Sequence, residues 1–377
     1  MKKRIGIIGT GFIGKGLYNL ILSKDEFEVV KVLTRSNINK REGYVSNTLT
    51  NSILELITNS DIIIECTGEV LYTTENILEI AKTNIPIITM NTEFHITTGS
   101  YFVDKCYLTE AEGDQPGCLA ALNEEAVSMG FKPKVYGNIK GFLNKNPTEN
   151  DMKIWAKKSN LSLDMVTSFT DGTKVQMEMA FVANGLDASI IKQACTGHES
   201  SDINVNANLL AMEAEKIKMK ISDYIISPKG PSGVFITATH DKKQKSSLSY
   251  YKAGSGPYYT LVKPYHFPHI ELYKTIVRVS NGGQVLLNNS SNPKISVCSI
   301  AKCDLEVGTY IDKAIGSFIV RGEAVKIEDC PRHIPIGLLN KARIKKAIKK
   351  DSVITFDDIE IDDNIALQIW FKIMKEL

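Results

Sequence analysis

Asp171, Lys174 and Glu178 recur at intervals of three and four in SerPheThrAspGlyThrLysValGlnMetGluMetAla (168–180), the densest gathering of acid and base groups in the chain. On a helix that spacing puts the three on one face. A lysine held between carboxylates can polarise a substrate carbonyl or hydroxyl, and a carboxylate beside it can accept or deliver the proton that accompanies hydride transfer. The same spacing also describes an exposed helix laced with intrahelical ion pairs, so the residues alone leave both readings open.

A hydride needs a carrier, and the start of the chain supplies the pattern for one. Arg4 to Gly16 reads RIGIIGTGFIGKG, an apolar run followed at once by Gly9, Gly11 and Gly14 in GxGxxG spacing, with Thr10, Phe12 and Ile13 between them. Gly9 permits a tight turn, Gly11 lets the backbone approach a pyrophosphate, and Gly14 lets the helix pack on its strand. The anion then meets free N–H groups at the positive end of the helix dipole. The helix should carry Phe12, Ile13, Leu17, Leu20 and Ile21 on one side. About twenty residues on, where NAD-specific folds place an acidic residue, stand Thr34, Arg35 and Ser36, with Asn37, Lys40 and Arg41 nearby. Such a set suits a 2′-phosphate and favours NADPH over NADH. Arg35 as a plain solvated charge at a strand end is the other reading.

These groups need a scaffold, and the chain alternates strand and helix signals. Residues 60–68 and 85–91 read as buried strands of a parallel, doubly wound sheet. Ligands bind such sheets at the carboxyl ends of the strands, which brings Cys66, Thr67 and Gly68, then Asn91, Thr92 and Glu93, beside the nicotinamide. Glu93 and His95 are therefore candidates, against a loop carboxylate and a solvent-facing imidazole. A turn-rich segment at 112–117 precedes a helix at about 119–129, and a strand at 134–141 ends in a polar turn carrying Lys140.

Composition sets limits. With 377 residues, 43% hydrophobic and 23% charged, the chain is long enough for two or three ordinary domains. A net charge of +2 argues against a nucleic-acid partner. Seven cysteines without a CxxC pair suit a reducing cytoplasm. The opening MetLysLysArg runs directly into a strand, unlike a signal peptide. No apolar run approaches the roughly 18 residues of a membrane span.

Over nearly its whole length the chain resembles the homoserine dehydrogenase-like oxidoreductases that carry a C-terminal SAF domain. The residues carrying the likeness are 9–14, 65–69 (GluCysThrGlyGlu), 112–117 (GluGlyAspGlnProGly), 168–180 and 261–267 (LeuValLysProTyrHisPhe). The resemblance implies that Lys174, Asp171 and Glu178 lie among the polar active-site residues, with Lys263, Tyr265 and His266 forming a second wall near a small-molecule substrate. ValCysSerIleAlaLysCysAspLeuGluValGlyThrTyrIleAsp (297–312) resembles the opening of an SAF domain, a small β-rich module. Residues 297–377 hold one histidine, His333, and no paired cluster, so the module is expected to cover a rim or form an oligomer interface. One branch of the group resembles an alternative 1-deoxy-D-xylulose 5-phosphate reductoisomerase, in which Asp171, Glu178 or Glu93 would help to hold a divalent cation.

The expectation is thus an α/β protein with a Rossmann doubly wound domain (1–135), an α+β substrate and dimerisation domain (136–292) and a β-rich SAF-like domain (293–377). Its expected function is NADP(H)-dependent reduction of a small, sugar-derived carbonyl compound by a cytoplasmic homo-oligomer. The alternatives are the reductoisomerase and an NADP(H)-binding assembly or sensor protein of surface-glycan metabolism.

Overall fold

The computed structural model describes residues 2–45 and 47–377. The chain divides into two compact units, one of Met1–Cys118, His266–Asn292 and Ile365–Leu377, the other of Leu119–Tyr265 and Pro293–Asn364.

The first unit is built on six strands: β1 (Lys3–Ile8), β2 (Phe27–Leu33), β3 (Leu49–Thr50), β4 (Ile62–Glu65), β5 (Ile87–Thr89) and β6 (Leu108–Glu110). They pair in parallel in the order β3-β2-β1-β4-β5-β6, the strand order of the Rossmann fold. Isoleucine-rich runs such as Ile62–Glu65 suit this sheet because both of its faces are covered. Between the strands lie α1 (Phe12–Leu22), α2 (Ile53–Asn59), α3 (Val70–Ile80) and α4 (Thr92–Thr97). One core joins Ile5, Ile7 and Val32 to Leu17, Tyr18 and Ile21 of α1 and to Leu272 and Ile276 of the returning helix Pro268–Ser280. On the other core Ile8, Leu33, Ile63, Ile77 and Ile80 meet Ile369 and Ile373 of the helix Ile365–Glu376. Leu17, Tyr18 and Ile21 make the buried stripe of α1, whereas Phe12, expected on that side, is 71% exposed and sets its ring edge-on to His269 at 5.7 Å.

The boundary between units falls inside α5 (Gln115–Ser128). In the second unit β7 (Lys132–Lys140) is followed by α6 (Glu149–Ser159), α7 (Leu163–Thr170), α8 (Thr173–Gly185), β8 (His198–Glu199), α9 (Ile203–Ile217), β9 (Ile221–Ile226), β10 (Val234–Thr239), α10 (Lys245–Tyr250) and β11 (Tyr259–Lys263). The strands form a mixed sheet in the order β11-β10-β7-β9-β8. Its core sets Val135, Ile139, Ile221, Ile225 and Phe235 against Ala207, Leu210 and Ala211 of α9.

The C-terminal stretch is β-rich, as expected. β12 (Ile295–Ala301), β13 (Tyr310–Lys313), β14 (Val320–Lys326), β15 (Asn340–Ile344), β16 (Val353–Ile354) and β17 (Ile359–Glu360) make two three-stranded sheets, β14-β12-β16 and β13-β15-β17. β12 and β14 pack directly on α8, so Pro293–Asn364 clusters with the second unit. The consecutive stretches 1–135, 136–292 and 293–377 therefore cut the chain differently from its packing, because the 268–280 and 365–376 helices return to the Rossmann sheet.

Candidate functional site

At the carboxyl end of β1 the chain turns at Gly9, whose φ of 112° lies in the left-handed region. α1 then starts with Gly11 as N-cap, with no side-chain cap and no acidic residue in the first turn. Its first N–H groups consequently keep their donor capacity and the positive end of the dipole. A Cβ on Gly14 would fall 2.2 Å from the Gly9 carbonyl oxygen, so helix–strand packing demands glycine there. A Cβ on Gly11 would meet nothing within 4 Å.

The end of β2 forms a polar rim beside this turn. Thr34 is buried; its hydroxyl accepts from the Ser36 N–H at 3.2 Å and lies 3.3 Å from the Thr10 hydroxyl. Arg41 donates to the Ser36 hydroxyl at 2.6 Å. Arg35 pairs with Glu69 at 2.6 Å and lies 4.4 Å over the Tyr72 ring. Arg41 thus reaches Ser36, while the neighbouring Arg35 guanidinium is held by Glu69 and Tyr72.

Glu65, at the end of β4, ties together the residues expected near a nicotinamide. Fully buried, its carboxylate accepts from the Thr67 N–H (2.6 Å), the Thr89 hydroxyl (2.9 Å) and the Thr73 hydroxyl (3.2 Å). Asn91 donates to Thr73 at 2.9 Å and accepts from the Phe94 N–H at 3.0 Å, capping α4. Cys66, Thr67, Gly68 and Asn91 are therefore gathered at adjacent strand ends. Desolvation and the nearby Glu65 and Glu110 charges push the Cys66 thiol well up, which disfavours its thiolate form. Glu65 itself escaped the site prediction, although a carboxylate ending an all-isoleucine strand is a signal of a buried hydrogen-bond hub.

Glu93 occupies the first turn of α4, half-buried. His95 is not solvent-facing: it is fully buried with Nε2 3.2 Å from Glu110 Oε2. Burial pulls its pKa down to about 3, partly opposed by the Asp114 charge. The unfolded chain therefore takes up a proton below pH 6.5 that the folded chain refuses, and stability declines by about 1.4 kcal/mol per pH unit as pH falls from there. His95→Gln is expected to remove this slope. Urea unfolding at pH 7 and pH 5 should show a loss about 2 kcal/mol smaller in the variant; an equal loss would show that His95 does not set the acid limit.

In the second unit the three-residue stripe on one helix is not what forms. α7 ends at Asp171, and Gly172 with φ 88° breaks the chain before α8 begins. Asp171 therefore precedes the helix that carries Lys174 and Glu178. Nor is α8 an exposed, salt-bridged helix, since every residue from Val175 to Ala183 is buried. Each carboxylate has a lysine from a distant element. Lys140, at the end of β7, pairs with Glu178 Oε2 at 2.9 Å, and Asn138 donates to the same oxygen at 2.7 Å. Lys302, just beyond β12, pairs with Asp171 at 2.7 Å with both side chains almost fully buried. Burial pushes the Asp171 carboxyl up and the Lys302 ammonium down, each opposed by the other's charge. Lys174 is half-buried in the first turn of α8, one helical turn before Glu178. Lys302 was missed by sequence reasoning, and it joins a strand of the C-terminal stretch to Asp171. A lysine following a strand buried at all seven positions was the available signal.

His266 lies in the loop after β11, with Nδ1 3.2 Å from the Gly113 carbonyl oxygen. Lys263 ends β11 and lies 5.3 Å over the Tyr265 ring.

Residues 113–272 match the family model described as Oxidoreductase DRL, catalytic domain, a stretch containing Lys140, Asp171, Lys174, Glu178 and His266. On that match the protein is an oxidoreductase enzyme. No curated protein matches the chain. Similar solved structures include a dehydrogenase (MviM) from Clostridium difficile, 16% identical over 77% of this chain and 94% of that one at a TM-score of 0.43. They also include myo-inositol dehydrogenase from Lactobacillus casei in complex with NAD(H) and myo-inositol, 13% identical over 77% and 90% at 0.43. Among the described residues no helix is long and apolar enough to cross a membrane.

Proposed function

We propose that the protein is an NADP(H)-dependent oxidoreductase that reduces a small, sugar-derived carbonyl compound, with relatives among the homoserine dehydrogenase-like enzymes bearing an SAF module. The observation that carries the chemistry is the Glu178 carboxylate, buried and held by Lys140 and Asn138 one turn beyond Lys174. In this assignment Lys174 orients and polarises the substrate oxygen, and the Lys140–Glu178 pair exchanges the proton that matches the hydride. Bound NADPH would supply that hydride. Support for the dinucleotide comes from the uncapped α1 start and from Gly11, where only the approach of a ligand asks for the missing Cβ.

The 2′-phosphate is assigned to Arg35 and Arg41, with the Thr34 and Ser36 hydroxyls lining the same rim. Glu69 positions Arg35 through an exposed pair that is worth little by itself, which leaves the guanidinium open to a phosphate. Charge-assisted hydrogen bonds of about 1.5–3 kcal/mol correspond to roughly 10–100-fold in affinity. The protein should therefore bind NADPH more tightly than NADH by about that factor, and Arg35→Asp should remove or reverse the preference. Fluorescence titration with both cofactors decides it; equal affinities in the unchanged protein would refute the assignment.

A reductoisomerase would need a divalent cation on Asp171, Glu178 or Glu93. The donor set fits poorly: Asp171 faces the Lys302 ammonium and Glu178 faces Lys140, and the described residues contain no group of three candidate ligands. No metal step is assigned.

A further inference from the structure

The second unit holds a cavity of about 480 Å³ on the far side of α8. Gln176 lines it, about 200° around the helix from both Lys174 and Glu178. Its other walls include Lys145, Asp171 and Gly172 just before α8, the 192–197 loop, Tyr224 and Arg321–Glu323 of β14. The loop is strained and firmly held. Ala194 and Cys195 have φ of 64° and 58°, left-handed conformations that in non-glycine residues persist only where the surroundings impose them and that cluster at functional sites. The buried Asp223 carboxylate accepts from the Thr196 and Gly197 N–H groups at 2.8 and 2.9 Å, and Gln176 donates to the Ala194 carbonyl oxygen at 2.9 Å.

The charges on and around these walls are unevenly paired. Asp171 is answered by Lys302. Glu323 is answered by Arg321 at 3.1 Å, by Gln193 at 2.8 Å and by Lys145 at 3.4 Å. Arg321 spends Nε and Nη2 on Glu323 and Asp351, but its Nη1 is buried without a hydrogen-bond partner in a residue only 4% exposed. A buried guanidinium N–H left unpaired is costly, and an oxyanion is its best complement. Lys192, also on the wall, is exposed and carries a further positive charge there.

We propose that this cavity binds a small metabolite bearing a carboxylate or phosphate, with Arg321 and Lys192 as its anion contacts, at a site separate from the α8 face of Lys174 and Glu178. The site's neutral hydrogen-bonding groups, Gln176, Thr196 and Tyr224, suit a hydroxylated ligand.

The test is calorimetric titration of the full chain with inorganic phosphate and with malonate at constant ionic strength, with and without saturating NADPH. At least one oxyanion should bind at millimolar concentration, and whichever binds identifies phosphate or carboxylate as the recognised group. Lys192→Glu, an exposed substitution, should weaken binding about tenfold or more, and Arg321→Gln should abolish it. Should Arg321→Gln fail to fold, Lys192→Glu alone decides. No binding by either oxyanion, binding unchanged by Lys192→Glu, or displacement of the anion by NADPH would each overturn the proposal. Turnover by Lys174 variants bears on none of these outcomes, so the two assignments fail separately.

Discussion

Lys174→Met is expected to lower turnover by about 10²–10⁴-fold, the range associated with losing a positioned proton-handling or polarising group, while NADPH affinity stays within a few-fold. The methionine keeps the length and the apolar stem that the half-buried position accommodates, so the change removes charge rather than volume. Glu178→Gln should act in the same direction, because its carboxylate is held by two donors inside the protein and gains nothing from solvent. Steady-state kinetics together with cofactor fluorescence separates the outcomes. Unchanged turnover in Lys174→Met would mean that Lys174 serves packing alone, and collapse of cofactor affinity would assign the α8 face to the dinucleotide.

The second large effect is on folding. Lys302→Met should cost about 3–5 kcal/mol, because it leaves the Asp171 charge buried with its ammonium partner gone. The double substitution Lys302→Met with Asp171→Leu should recover much of that loss, since removing both charges also removes both desolvation penalties. In the single variant the loss should shrink at low pH. Burial raises the Asp171 carboxyl pKa in the fold, so protonation there favours the folded state below the unfolded value, and that gain vanishes as pH rises through the folded one. Urea midpoints of the three variants across pH measure all of this. A single variant as stable as the unchanged protein would show that the pair contributes nothing. The pair also explains why a chain ending near Asn292 should not keep a folded second unit: β12 and β14 cover α8, and Lys302 neutralises the charge at its start.

Legibility in the sequence followed the range of the interactions. Isoleucine runs ending in Gly9, Gly68 or Asn91 announced parallel strands, because strand burial and turn sterics act within a few residues. The helix at 119–129 and the strand at 134–141 were found within a few residues of α5 and β7. Asp171, Lys174 and Glu178 stand together in the sequence as a segment, but helical periodicity could not tell that Gly172 breaks the helix between the first of them and the rest.

The sequence by itself determined the Rossmann unit, its glycine turn and the basic rim at Thr34–Ser36, all of which depend on neighbours in the chain or on adjacent strands. Only the tertiary structure decided which lysine meets which carboxylate. Lys302 reaches Asp171 across 131 residues and Lys140 reaches Glu178 across 38, and such pairs leave no period in the sequence. The same holds for α8, whose burial on all sides comes from two sheets formed far apart in the chain, and for the Arg321 cavity, which exists only once β14 has folded back against the 192–197 loop. Ion pairing and burial are set by proximity in space, and for these residues proximity is created by the fold.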